Sequence, residues 1–373
     1  MIRPVWRNFD VLLLVTTVLL LAVGIALIYS ATVSTESGTV LSERLFFRQA
    51  TYAAGGLLIL LLAAVVDYQL LGLVSWLVYA SAIAALALVA VLGQQGFGAQ
   101  SWLSLRRGIQ PSELSKILLI VFLAKYLADR QEQRGQLRLL LFSAALMIPP
   151  VFLIYRQPDM GSALVVLAIW LGMVFAAGTR LVHLGLLGLA MGAAGPAVWF
   201  SMKDYMRERV LTFVNRLLSP SGAASIADYN TRQALTSIGS GGLFGKGFLH
   251  GTQSQLYFLR VRHTDYIFSV LSEELGFVGA VAVLLLFVIL LWRILRTANM
   301  ARDTFGQLIA CGAATMIFFQ AVVNIGVNVG LLPVTGLTLP LVSYGGSSVW
   351  ATLLAIGLVE NVALRHKRLE FGD

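Results

Sequence analysis

The sequence predicts an all-α integral membrane protein with ten transmembrane helices, both termini cytoplasmic and one long extracytoplasmic loop between helices 7 and 8. Its 373 residues are 58% hydrophobic and 12% charged, whereas about a quarter of the residues in a soluble globular protein are charged. Residues 11–35 contain no Asp, Glu, Lys, Arg or His, and neither do residues 304–359. Because about twenty apolar residues cross a bilayer as a helix, these runs exclude soluble-enzyme folds, disorder and disulfide scaffolds.

Ten apolar segments account for the predicted spans. The first follows Arg3 and Arg7, is too long for the apolar region of a signal peptide and lacks a convincing cleavage site, so we expect a retained anchor. The later segments are separated by stretches rich in charge, proline or glycine. The spans are roughly 11–31, 49–66, 70–92, 110–128, 138–155, 160–178, 181–200, 265–292, 305–331 and 344–363.

An even number of spans places both termini on one side, and the basic residues indicate which side. Cytoplasmic termini put thirteen Lys and Arg residues inside and five in short external loops, with long loops left out of the count. The thirteen are Arg3, Arg7, Lys125, Arg130, Arg134, Arg138, Arg180, Arg293, Arg296, Arg302, Arg365, Lys367 and Arg368. The five are Arg44, Arg48, Arg106, Arg107 and Arg156.

The chain is predicted to form one membrane domain, residues 1–373, in which only segment 201–264 is long enough for a small extramembrane structure. This segment begins basic and amphipathic and becomes glycine-rich at residues 238–247. The glycines lack the Lys-Ser/Thr ending of a nucleotide-binding loop, so a nucleotide site is excluded there. The single cysteine, Cys311, excludes an intrachain disulfide.

Polar residues gather where the even-numbered spans begin, which is the outer face in this topology. Helix N-termini expose N–H groups and the positive end of the helix dipole, and both favour anions. The residues are Arg48 before the second span, Glu113 and Lys116 in the fourth, Gln157–Asp159 before the sixth, His263–Asp265 at the eighth and Ser343–Ser348 at the tenth. Together they predict a site for a pyrophosphate group.

Each of these residues also has a structural interpretation. Arg48 suits an interfacial anchor, and Glu113 with Lys116, three residues apart, suits an ion pair on one helix face. Asp159 and Asp265 both precede apolar helices and suit N-caps. A desolvated carboxylate near the bilayer surface also suits a general base, so cap and base both remain open for Asp265.

Three amides line one face of the ninth span, because Gln320, Asn324 and Asn328 recur every four residues. Gly326 and Gly330 follow the same spacing on a nearby face. Polar amides beside small residues are typical of helix–helix contacts in membranes, and we favour that interpretation over substrate binding.

Several sequence blocks together resemble the SEDS family of shape, elongation, division and sporulation proteins, in order and over essentially the whole chain. The blocks are GTQSQL at 251–256, HTDYIF at 263–268, EELG at 273–276, QPSELSK at 110–116, QPDMGS at 157–162, and NIG at 324–326 through LLPVTG at 331–336 to SYGGSS at 343–348. The run at 247–255 resembles the elongation branch more than the division branch.

This resemblance implies a peptidoglycan glycosyltransferase that polymerises lipid II on the outer face of the bacterial cytoplasmic membrane during cell elongation. It implies that Asp265 is the essential aspartate. Residues of the matching blocks are then expected to bind substrate: Arg48, Glu113, Lys116, Asp159, Gln233, His263, Ser343 and Ser347. The implied partners are a class B penicillin-binding protein and other membrane proteins of the elongation machinery, with no nucleic acid.

The sequence departs from the family pattern beside the aspartate. Leu259–Arg262 stands where Leu-Pro-Glu is usual, Tyr257 where an acidic residue is common, and Thr338 where proline is usual. The loop is therefore more basic than typical. The missing acid at 257 also removes a rival base to Asp265.

The implied reaction is a single displacement with inversion. Asp265 would accept the proton of the acceptor 4-hydroxyl, while Arg48 and Lys116, helped by Arg106 or Arg107, stabilise the pyrophosphate so that no general acid is required. A divalent Mg or Mn ion is a further candidate for stabilising the pyrophosphate, although no tight cluster of metal ligands appears in the sequence. The rival hypotheses are a transporter of lipid-linked precursors, whose site would lie near the bilayer midplane, and a non-catalytic scaffold for a transpeptidase.

Overall fold

The computed structural model describes residues 8–32, 40–96, 99–102, 110–218, 226–256, 258–259 and 261–366. Eight residues discussed above lie outside these ranges: Arg3, Arg7, Arg106, Arg107, Tyr257, Arg260, Lys367 and Arg368. Helices make up most of the described chain, so the predicted all-α fold class is confirmed. A small hairpin, which the sequence did not predict, pairs β1 (Gln94–Gly96) antiparallel with β2 (Ala99–Trp102).

Within the described ranges, ten long helices follow the order of the ten predicted spans. They are α1 (Val11–Thr32), α2 (Val40–Val65), α4 (Ser75–Leu92), α5 (Pro111–Ala128), α6 (Leu137–Arg156), α7 (Met160–Ala176), α8 (Leu181–Ser201), α12 (Ile267–Met300), α13 (Thr304–Asn328) and α14 (Gly346–Leu364). Four shorter helices are α3 (Tyr68–Leu73), α9 (Asp204–Leu218), α10 (Ile226–Ser240) and α11 (Thr252–Gln255). The last three belong to the segment predicted to lie outside the membrane.

Seven of the described helices are long and apolar enough to cross a membrane, namely α1, α2, α4, α6, α12, α13 and α14. Helix α7 and residues Leu181–Ala193 of α8 are apolar but shorter. Helix α5 is as long as α4 but carries Glu113, Lys116 and Lys125. The chain is a multi-pass membrane protein, while the count of ten spans and their orientation stay predictions.

Two predicted boundaries are wrong. Helix α2 begins at Val40 rather than near residue 49, because residues 40–48 contain no glycine or proline to stop a helix that extends beyond the apolar band. Arg48 therefore lies within the helix and not before it. The third span is interrupted at Val74, where α3 ends and α4 begins.

Helix α12 is broken near its beginning. Its 34 residues would extend about 51 Å, well beyond a hydrocarbon core of about 30 Å. Gly276 adopts φ 66° and ψ −165° and divides it into residues 267–275 and 277–300. The glycine-rich loop replaces hydrogen bonds lost at the break: Lys246 N donates to Glu273 O, Gly247 N to Glu274 O and Phe277 N to Gly242 O, at 2.9–3.0 Å.

The glycines of this loop are needed for close packing. A Cβ atom at Gly241 would collide with the carbonyl of Ser272, and one at Gly245 with the carbonyl of Glu274. The loop therefore supports the first part of α12.

Helices α13 and α14 form the centre of the bundle. In its most apolar window 89% of α14 is buried, compared with 22% for α2 and α4, which places α14 inside and the other two at the periphery. Helix α14 packs against α2, α5 and α13. Gly357 permits the contact with α2, because a Cβ there would lie 2.6 Å from the carbonyl oxygen of Leu60. This core holds the starts of α5, α12 and α14 in fixed relation.

Candidate active site

Asp265 lies in a turn, residues 261–266, directly before α12. The N-cap residue of α12 is Tyr266, and no side chain caps the helix. The interpretation of Asp265 as an N-cap is therefore wrong, because the turn places the carboxylate one residue too early. The residue as a whole is partly exposed. Its carboxyl group is desolvated and accepts a hydrogen bond from the Thr264 hydroxyl, and that carboxyl group does not cap the helix that follows.

Two amides of α13 fix the main chain of this turn. Asn324 and Asn328 each donate an Nδ2 hydrogen bond to the carbonyl oxygen of Asp265, at 3.0 and 2.8 Å. The Asn328 side-chain oxygen accepts from the backbone N–H and the hydroxyl of Ser269, at 3.0 and 2.7 Å. The interhelical contacts predicted for these two amides are thus present, and they hold the residue proposed as the base. Gln320 is buried as well, and no acceptor in the described chain meets its Nε2.

The loop before α14 binds the same turn from the other side. Ser343 donates its hydroxyl hydrogen to the carbonyl of Thr264 at 2.6 Å and accepts from the backbone N–H of Leu339 at 2.9 Å. Tyr344 N donates to the carbonyl of His263 at 2.9 Å, and the two rings meet edge to face. The Ser343 hydroxyl is thus used internally, and its part in substrate binding stays a prediction.

Helix α2 contributes Arg48 and Gln49 to this loop. Gln49 is fully buried and makes two hydrogen bonds to the loop. Its Nε2 donates to the carbonyl of Ser343, and its Oε1 accepts from the backbone N–H of Gly345, both at 3.3 Å. Arg48 is exposed, and its charge acts on the hydroxyl of Tyr344. The cation predicted from the sequence, Arg48, therefore lies beside the turn that contains Asp265. It does so from within α2, because that helix begins at Val40 and not at Arg48.

A second group of contacts joins the starts of α5, α7 and α14. Asp159 caps α7, accepting from Ser162 N at 3.0 Å, and its other carboxylate oxygen accepts from Gln110 Nε2 at 3.0 Å and Ser112 Oγ at 3.3 Å. The backbone N–H of Gln110 donates to the hydroxyl of Ser347 at 2.8 Å. The cap interpretation of Asp159 is confirmed, and the predicted convergence of helix starts is present for these three helices.

Glu113 and Lys116 lie one turn further into α5. Lys116 is fully buried, Glu113 is 7% exposed, and their charged atoms are 2.7 Å apart. The ammonium group has no hydrogen bond of good geometry within the described chain. The pair is therefore a close ionic contact that leaves the lysine N–H groups available to an additional anion.

Burial alters the acid–base properties of the turn. It raises the pKa of the Asp265 carboxyl to about 6, against the opposing effects of the Thr264 hydroxyl and the Arg209 charge. Burial also lowers the pKa of His263 to about 4, and the neighbouring Arg262 charge acts in the same direction. His263 is consequently neutral at pH 7 and presents an uncharged imidazole, while Asp265 is mostly ionised and more basic than an exposed aspartate.

Gln233 lies apart from these hydrogen bonds. It belongs to α10, whose buried residues Asp228, Thr231, Ala234 and Ser237 form one face. Gln233 is partly exposed beside that face. Helix α10 packs against α12, so the residue is near the candidate site without a described contact to Asp265, and its proposed role stays a prediction.

Sequence reasoning missed two pairs of residues. Gln49 and Gln110 connect the helix starts, yet an isolated glutamine beside an apolar segment gives no signal for such a role. Arg209 and Arg216 of α9 donate to the carbonyls of Val334 and Gly330, at 3.2 and 2.6 Å, and secure the loop that follows α13. Their charge was discounted because long loops carry no topological information.

The described residues contain no group of three or more His, Cys, Asp or Glu side chains close enough to hold a metal ion. The residues present therefore do not fit a tight metal site, and no catalytic step is assigned to a metal.

Comparison with known proteins identifies relatives over nearly the full chain. The family model FTSW_RODA_SPOVE, described as a cell cycle protein, matches residues 10–368. Stage V sporulation protein E of Bacillus subtilis is 37% identical, over 95% of this chain and 96% of that protein. Peptidoglycan glycosyltransferase MrdB of Escherichia coli is 40% identical over 300 residues, which are 79% of each chain.

The fold also matches a solved structure. That structure concerns the coordination of polymerization and crosslinking by a peptidoglycan synthase complex. One of its chains is 35% identical and superposes with a TM-score of 0.77, covering 95% of this chain and 97% of that one.

Proposed function

The chain belongs to the FtsW, RodA and SpoVE family, and from this premise we propose that Asp265 is the general base with which it polymerises lipid II. The chain is a peptidoglycan glycosyltransferase, the activity named for its relative MrdB. The observation that carries the assignment is the Asp265 carboxylate: it caps no helix, it is desolvated with a pKa raised to about 6, and two asparagines of α13 hold its main chain.

The proposed reaction forms one bond and breaks one. The Asp265 carboxylate takes the proton of the acceptor 4-hydroxyl as that oxygen attacks the anomeric carbon of the donor. The bond from this carbon to the pyrophosphate oxygen breaks, and polyprenyl pyrophosphate leaves. Attack from the opposite face converts an α-linked donor into a β-1,4-linked polymer, as expected for a single displacement.

Lys116 and Arg48 are the proposed partners of the leaving group. A pyrophosphate needs cations rather than a proton donor as negative charge develops. Lys116 is buried with unused N–H groups, so it suits a desolvated contact with one phosphate. Arg48 is exposed beside Tyr344 and suits a contact nearer the solvent. Glu113 would orient Lys116 through their 2.7 Å ionic contact.

The remaining predicted residues are assigned two kinds of role. Asp159 and Ser343 would position the helix starts, because their side chains are engaged internally. His263 and Gln233 are proposed to contact the sugar or peptide part of lipid II, and so is Ser347, whose hydroxyl also accepts from the backbone N–H of Gln110. A neutral His263 suits a hydrogen bond to a sugar hydroxyl better than a contact with phosphate.

We further propose that the site faces the outside of the bacterial cytoplasmic membrane and acts during cell elongation. The excess of basic residues on the opposite side supports this orientation. A class B penicillin-binding protein is the proposed partner, supported by the similarity to a chain of a complex that coordinates polymerization with crosslinking.

The decisive experiment measures glycan polymer on a gel after purified chain is incubated with lipid II, with and without the penicillin-binding protein. We expect polymer from the wild type and none above background from Asp265→Asn, with partner binding preserved. Polymer from Asp265→Asn at near the wild-type rate would remove Asp265 from the role of base. Lipid II transport across vesicles without polymer formation would favour the transporter hypothesis.

A further inference from the structure

A polar cavity, separate from the candidate active site, lies between the end of α5 and the start of α6. It is lined by Tyr126, Arg130, Gln133, Gln136, Arg138 and Phe142, together with Leu139. Helix α5 begins beside Gln110 and Asp159 and ends at Ala128. Its 18 residues span about 27 Å, so the cavity and the candidate active site lie at opposite ends of α5, which the predicted topology places at opposite faces of the membrane.

Aromatic rings orient both arginines of the cavity. The guanidinium carbon of Arg130 is 4.0 Å from the ring centroid of Tyr126, and its Nη1 donates to the Tyr126 carbonyl at 3.2 Å. The guanidinium carbon of Arg138 is 5.6 Å from the ring centroid of Phe142. Stacking uses the face of a guanidinium group and leaves N–H groups at its edge for a planar or tetrahedral anion.

The positive charge of this cavity is not balanced by carboxylates. In the described part of the chain, neither Arg130 nor Arg138 forms a salt bridge. Asp129 is paired with Lys125 at 2.6 Å, and the exposed Glu132 does not line the cavity. The N-cap residue of α6, Gln136, makes no side-chain cap, so the first N–H groups of α6 add partial positive charge.

The cavity continues into an apolar surface. Leu137, Leu141 and Phe142 of α6 are 43, 57 and 53% exposed. In a multi-pass membrane protein, exposed apolar side chains on a spanning helix face acyl chains. A ligand that fits both parts therefore carries a phosphate next to a hydrocarbon chain.

We infer that this cavity binds the phosphate-bearing headgroup of an anionic phospholipid, whose acyl chains lie along the exposed apolar side of α6. Arg130 and Arg138 donate hydrogen bonds to the phosphate oxygens, and Gln133 and Gln136 supply polar contacts for the rest of the headgroup. Basic pockets at the ends of membrane helices suit such headgroups. The site is separate from Asp265, so its failure leaves the proposed reaction untouched.

The test uses the full chain in neutral detergent, titrated with phosphatidylglycerol or phosphatidylcholine, with bound lipid counted by native mass spectrometry. We expect the wild type to retain phosphatidylglycerol and to discriminate against phosphatidylcholine. The double variant Arg130→Gln/Arg138→Gln should bind phosphatidylglycerol about 30-fold more weakly, at about fivefold per basic residue. Arg302→Gln is the matched control, because Arg302 has a carboxylate neighbour in Asp303, and it should bind as the wild type does.

Three results would overturn the inference. One is undiminished phosphatidylglycerol binding by the double Gln variant, and another is an equal loss in Arg302→Gln. The third is displacement of the lipid by an equal concentration of soluble glycerol phosphate, which would indicate a site for free phosphate esters. If the double Gln variant does not fold, Arg130→Lys/Arg138→Lys keeps the charge, and it should bind more weakly than wild type but still prefer phosphatidylglycerol.

Discussion

Two aspartates stand immediately before helices in the candidate site, and the fold uses them differently. Asp159 caps α7 and accepts three hydrogen bonds in all, from Ser162, Gln110 and Ser112. Asp265 caps nothing, and α13 holds it through its carbonyl group. A carboxylate that accepts three hydrogen bonds from distant or capped residues suits a structural role, whereas one that meets only its neighbour Thr264 among the described side-chain donors suits a contact with substrate. The same local motif, Asp before an apolar helix, therefore has two roles.

The largest test of this comparison places one substitution at both positions. Asparagine preserves size and remains a good N-cap, so Asp265→Asn and Asp159→Asn should both fold. We expect lipid II polymerisation to fall about 100- to 10,000-fold in Asp265→Asn, the range for removal of a general base. Asp159→Asn keeps one acceptor oxygen, and its polymerisation rate should fall no more than about tenfold. A tenfold loss of rate corresponds to roughly 1.4 kcal/mol in the activation free energy. Initial rates with purified lipid II measure both, and equal losses would remove the distinction between base and cap.

The buried ion pair provides the next largest effect. Lys116→Met leaves Glu113 buried without its cation, so we expect a loss of about 3 kcal/mol in the free energy of unfolding together with about 100-fold in kcat/KM. Thermal melting in detergent and steady-state kinetics on lipid II measure the two effects.

A double variant separates the two effects of Lys116. Glu113→Gln/Lys116→Met removes both charges, so it should recover most of the stability but none of the activity. Wild-type kinetics in this double variant would make the pair purely structural, in the same class as Asp159.

The pH dependence of the rate tests Asp265 without a mutation. A base with a pKa of about 6 must be ionised to accept a proton. We therefore expect kcat/KM of the wild type to fall about tenfold for each pH unit below about 6. A rate that is level from pH 7 down to pH 4.5 would contradict this assignment.

The same raised pKa predicts an effect on stability. The folded pKa of Asp265 lies above its ordinary value, so protonation stabilises the folded chain. This contribution is complete below about pH 4 and is lost as the pH rises through about 6. Asp265→Asn should accordingly melt at a higher temperature than the wild type at pH 7.5, and the difference should shrink towards pH 4. A melting difference of the same size at pH 4 and at pH 7.5 would contradict the raised pKa of Asp265.

The smallest effect concerns the cap itself. Asp159→Ala removes the acceptor for Ser162 N and should cost about 1 kcal/mol in the free energy of unfolding. Asp265→Ala removes no cap and should not cost this amount at pH 7.5. Urea or thermal unfolding of the two variants checks the difference, and an equal cost at both positions would restore the cap interpretation of Asp265.

The polar residues of the site were found from the sequence because charges are rare in it. With 12% charged residues, a buried Glu113–Lys116 pair in an apolar helix is conspicuous. Gln49 and Gln110 were not found, because a neutral amide becomes significant only when a distant carbonyl or hydroxyl lies opposite it. The start of α2 was predicted too late for a related reason. Apolar character indicates which residues lie in the membrane, whereas the hydrogen bonds of the helix extend to residues outside it.

The sequence by itself determined the all-α membrane class, the order of the long helices and the charged residues of the candidate site, since hydropathy and scarce charges are local properties. Tertiary structure alone decided which aspartate caps a helix and which does not. That choice depends on Asn324 and Asn328, some sixty residues from Asp265 in sequence. It also depends on the break at Gly276, where the glycine-rich loop supplies the missing backbone partners. Hydrogen bonds between distant segments form only in the packed chain, and so the role of each carboxylate emerges only there.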